Sequence, residues 1–98
     1  MNVEIGRKRF TYSRVFTTAD SPEEIKSGVY DQFGNFGTIE EFTCSEPLKH
    51  DRTVKQGNDT YELSLIIEVD QKHFGEFERF AYLVGWEKQK ESFISRSL

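Results

Sequence analysis

The chain has 98 residues, a net charge of −4, 31% charged residues and a single cysteine. That length is one domain, read here as a single α+β unit over residues 1–98. No apolar run reaches the roughly 18 residues of a membrane span, and Cys44 has no second cysteine for an internal disulfide or a cysteine-rich metal site.

The core material is aromatic, with 9 Phe, 4 Tyr and 1 Trp. Rings bury much area per position, so few are needed to close a small core. Residues 1–5 show no basic stretch followed by an apolar one, so no signal peptide is expected. With the lone cysteine this makes the cytoplasm the expected setting. Acidic balance disfavours general nucleic-acid affinity while leaving room for a local basic patch.

The first such patch opens the chain. Arg7, Lys8, Arg9 and Arg14 stand against Glu4 alone among residues 1–16. Phe10, Tyr12 and Phe16 alternate with them at period two, which predicts a strand or short hairpin over residues 2–18. In a regular strand Phe10, Tyr12, Arg14 and Phe16 share one face. Exposed, that face would stack unpaired bases beside phosphate-neutralising arginines. Buried, its rings would be core and the charges would protect a sheet edge.

Ser21-Pro22-Glu23-Glu24 then predicts a helix start, with Ser at the N-cap, Pro at N1 and Glu at N3. Ile25, Val29 and Phe33 form its buried stripe, and Gly34 is expected to end it in a left-handed conformation. Residues 38–44 read as a second strand in which Glu40 and Glu41 point to opposite faces, so one face is wet or the strand lies at an edge. Residues 45–59 read as a loop or a long hairpin.

Residues 60–69 are the clearest strand, with Tyr61, Leu63, Leu65, Ile67 and Val69 on one face. Asp70 is expected to cap a second helix whose stripe is Phe74, Phe77, Ala81 and Val84. Residues 86–98 stay open between a tail, a helix extension and a short strand over 92–98. The expected fold is a two-layer α+β sandwich. A mainly antiparallel sheet of three or four strands carries two helices on one face, in the order β-α-β-β-α. A final strand would make it a ferredoxin-like βαββαβ arrangement.

Gly6-Arg7-Lys8-x-Phe10, the alternating strand and the acid-capped helix ending Val29-Tyr30-x-x-x-Gly34 resemble the start of small archaeal ribosomal proteins. The resemblance covers under a third of the chain. That family's basic run, which implies RNA contact, is here Phe36-Gly37-Thr38-Ile39-Glu40-Glu41, so no role is carried over.

Catalytic chemistry finds no constellation. Cys44, His50 and His73 offer a thiol and two imidazoles that no spacing brings together, with Cys44 the one nucleophile an enzyme reading would use. No metal-ligand set or phosphate-binding glycine loop is present, and no cofactor is expected.

The remaining signals suit a protein partner. Between Thr17 and Leu48 seven acids, Glu40, Glu41 and Glu46 among them, face Lys26 alone, a surface that would meet a basic partner. Phe80 and Trp86 fall off the second helix's stripe and would serve an interface or a homodimer seam. The leading expectation is therefore a small non-enzymatic interaction domain, an accessory or inhibitory factor such as a phage-encoded one. The alternative is a single-strand nucleic-acid binder using Arg7, Lys8, Arg9, Tyr12 and Arg14.

Overall fold

A computed structural model describes residues 6–48 and 58–94. Strand β1 (Arg7–Thr18) leads into helix α1 (Pro22–Phe33) and strand β2 (Gly37–Cys44). Strand β3 (Asp59–Asp70), a 3-10 turn (Gln71–His73), helix α2 (Phe74–Leu83) and strand β4 (Glu87–Phe93) follow. The strands form one open antiparallel sheet in the order β2-β3-β1-β4.

The period-two pattern of residues 7–18 builds a single strand. It pairs with β3 without a break from Arg7↔Asp70 to Thr18↔Asp59. Unbroken register keeps the alternation true along its whole length. Phe10 and Tyr12 therefore face the helices with Leu63, Leu65, Ile67 and Val69, and all are buried. Ile25, Val29 and Phe33 of α1 and Phe77 and Ala81 of α2 complete one cluster, so both helices lie on the same side of the sheet.

The α1 start follows its sequence signature. Glu24 N donates to Ser21 Oγ at 3.2 Å, and Ser21 N donates to the Glu24 carboxylate at 3.1 Å. These two bonds satisfy amides that the first helical turn leaves free. The helix ends otherwise than expected. Gly34 is right-handed (φ −59°), because the chain continues in a turn in which Phe36 N donates to Phe33 O.

The left-handed glycine is Gly85 (φ +93°), after α2. Trp86 N donates to Ala81 O and Gly85 N to Tyr82 O, the paired bonds of a Schellman stop. Two further expectations are corrected here. Asp70 makes no side-chain cap, because a 3-10 turn stands between it and α2. The last strand is Glu87–Phe93, earlier than residues 92–98, and pairs with β1 through a bulge. Beyond Cys44 the β2–β3 pairing continues through Ser45 N to Glu62 O and Leu48 N to Thr60 O, so residues 45–48 form a hairpin arm. His50 and the rest of the expected loop or hairpin over residues 49–57 lie outside the described residues.

Two substitutions test this scheme. Ser21→Ala is expected to lower stability by about 1 kcal/mol, read as a shift in urea midpoint. Gly37→Ala is expected to cost more, about 2 kcal/mol, because an added Cβ would collide with Glu68 O across the sheet.

Candidate functional site

The two sides of the sheet differ in chemistry because β1 and β3 alternate. The helix-free side receives Arg7, Arg9, Thr11, Ser13, Val15 and Thr17 from β1, and Glu62, Ser64, Ile66, Glu68 and Asp70 from β3. Thr38, Glu41 and Thr43 of β2 join them, opposite Glu68, Ile66 and Ser64. No ring of β1 lies there. Phe10 and Tyr12 are 0% and 2% exposed on the helix side, so they offer no base a stacking surface. Burial pushes the Tyr12 hydroxyl up to about 12.

The basic segment is spent largely within the molecule. Arg9 grips Glu40 with two nitrogens, Nη2 at 3.0 Å from Oε1. Arg7 Nε lies 3.3 Å from Asp70 and 3.6 Å from Glu68. Lys8 donates to Glu91 on β4 at 2.7 Å and lies over the rings of Phe74 and Phe93. Of the four cations Arg14 alone makes no ion pair among the described residues.

The β2 bulge between Ile39 and Glu41 is what lets Glu40 reach Arg9. That fork with Arg9 holds the Glu40 carboxyl below its usual range. Glu68 is pushed up, first by the neighbouring Glu40 carboxyl and then by burial. Glu41 and Glu62 are exposed on the same face and make no ion pair among the described residues. The face is thus acidic in balance, with hydroxyls, Val15 and Ile66 between the charges.

The other predicted partner residues separate. Glu46 is exposed in the hairpin arm beyond β2. Phe80 is half-buried, its ring 5.4 Å from both Phe33 and Phe36. Trp86 is 4% exposed and stacks edge-on against Phe33, because the Gly85 turn swings it beneath the helices. Neither ring has the free area of an interface anchor. The exposed rings that periodicity did not single out are Tyr82 (79%), Phe93 (70%) and Tyr30 (42%). Cys44 is half-buried against the core, and burial pushes its thiol up.

Among the described residues no group of three or more His, Cys, Asp or Glu could hold a metal ion, and no helix is long and apolar enough to cross a membrane. Comparison with protein-family models, curated proteins and solved structures finds no match.

Glu91 joins β1 to β4 by accepting from Lys8 and from Lys88 at 2.8 Å, and these two lysines hold its carboxyl down. A lowered carboxyl pKa contributes stability above the unfolded value and loses it as pH falls through the folded one. Glu91→Gln is therefore expected to lower stability at neutral pH by less than about 1 kcal/mol, since the pair is solvated. Urea midpoints of the two proteins should converge in acid.

Proposed function

We propose that this is a non-enzymatic interaction domain whose helix-free sheet face docks onto a basic surface of another protein. The observation that carries the reading is the state of that face. Arg7 and Arg9 are already paired with carboxylates of the same molecule, and Glu41 and Glu62 remain for a partner. Hydroxyl-rich and acidic in balance, the face favours cationic side chains and repels phosphates. This retains Glu40, Glu41 and Glu46 as contact candidates, with Glu40 acting through its fork with Arg9, and replaces Phe80 and Trp86 by Glu62 and Val15. An accessory or inhibitory role, as for a phage-encoded factor, rests on small size and the lack of a catalytic motif.

The element order β-α-β-β-α-β and the sheet order β2-β3-β1-β4, every neighbour antiparallel, support a ferredoxin-like fold. In that arrangement one sheet face is left for partners. A second copy is the less favoured partner. Self-pairing of the β4 edge centred on Gln89 would set Glu87 against Glu91 and Lys88 against Lys90, like charges opposite each other.

The test is capture of a partner from host lysate by the wild-type chain and by a Glu41→Lys, Glu62→Lys double variant. Loss of the captured protein by about tenfold or more is expected, with thermal unfolding unchanged. Undiminished capture of the same protein by the folded double variant contradicts the reading.

A further inference from the structure

Three features that each oppose stability meet at one cleft on the helix side, between α1, the end of β1 and the α2–β4 turn. Arg14 occupies a helix-facing position of a central strand, in period with Phe10, Tyr12 and Phe16. An apolar side chain is the economical choice there. Its guanidinium instead lies over the Phe16 ring at 4.3 Å, half-buried, with no carboxylate partner among the described residues.

Trp86 lines the same cleft, and its buried Nε1–H has no acceptor among the described residues. An unpaired buried donor is destabilising. Gly28 is the third. It sits inside α1, where glycine is less favourable than alanine, yet a Cβ there would meet no atom within 4 Å. Packing therefore does not require glycine, and Gly28 lines the cleft.

The cleft is about 140 Å³, close to the ~150 Å³ of an engineered cavity that accepts benzene. Ile25, Val29 and Leu63 supply an apolar wall, and Asp20 and Glu24 also line it. Glu24 is committed to the Ser21 cap, so Asp20 is the carboxylate at liberty. A simple anion would gain Arg14 and be repelled by Asp20; a simple cation would meet the reverse. A molecule carrying both charges on one small apolar body satisfies both.

We propose that this cleft binds a free amino acid with an apolar side chain. Its carboxylate is taken by Arg14, its ammonium by Asp20, and its side chain lies against Val29 and Leu63. Gly28 keeps the space open. The site lies across the sheet from the proposed docking face, so either can fail without the other.

Trp86 is the one tryptophan of the chain, and its emission reports occupancy directly. The probes are L-leucine, L-isoleucine, 4-methylpentanoate and isopentylamine. Leucine or isoleucine is expected to give a saturable emission change with Kd of about 1 mM and to raise the unfolding temperature. The two partial analogues, which lack the ammonium or the carboxylate, should bind about tenfold more weakly or worse. Arg14→Met should abolish the change, and Gly28→Leu should do so by filling the cleft from the solvent side of the core. Should Arg14→Met fail to fold, Gly28→Leu carries the test, its fold checked by circular dichroism. Flat titrations with both amino acids, 4-methylpentanoate binding as tightly as leucine, or wild-type affinity in Gly28→Leu would overturn the proposal.

Discussion

The ring of Phe77 lies 5.0 Å from that of Phe10, 5.3 Å from Tyr12, 5.8 Å from Phe33 and 5.9 Å from Phe36. Through this one side chain β1, α1, the turn before β2 and α2 meet. Aromatic contacts of this tilted and edge-on kind add to plain area burial. In a chain of this length, which buries only about two thirds of its unfolded surface, they leave little latitude. Once Phe10 and Tyr12 are committed to Phe77, strand alternation sends Arg7, Arg9, Thr11 and Ser13 to the far side of the sheet. The chemistry of both faces is a consequence.

That constraint decides how the charge asymmetry of the chain is resolved. The basic strand does not wait for phosphates. It meets the acidic elements within the molecule, through Arg9 with Glu40, Arg7 with Glu68 and Asp70, and Lys8 with Glu91. Each exposed pair adds little to stability. Their larger effect is on what the surface can bind, because a self-neutralised arginine is a poor site for a second anion. Arg14 shares the helix-facing side of β1 with Lys8, but it makes no ion pair among the described residues and lies over the Phe16 ring instead.

Elements that bury one face were legible in the residues. β3 declares itself by five apolar residues in alternation, and α1 by a capping box formed as its residues require. β4 was not legible as Glu87–Phe93, because all seven residues are exposed and a strand wet on both faces carries no hydrophobic period. Trp86 looked like surplus surface on a helical wheel. It is buried because Gly85 takes a positive φ and redirects the chain, a turn that periodicity does not encode. Of the candidate site, the shared face of Phe10, Tyr12, Arg14 and Phe16 could be read directly. Its direction, toward helices rather than solvent, could not, since alternation alone does not say which side is covered. The Glu40–Arg9 fork depends on a β2 bulge that no turn residue announces.

The account rests on the ring-bearing side of β1 being covered, and side-chain accessibility in the free protein measures that most directly. Hydroxyl-radical footprinting read residue by residue should leave Phe10, Tyr12, Phe77 and Trp86 protected while Tyr82 and Phe93 are oxidised readily. Oxidation of Phe10 and Tyr12 at rates matching Tyr82 would contradict it, since the basic aromatic strand would then be an open platform and the assignment of both sheet faces would reverse.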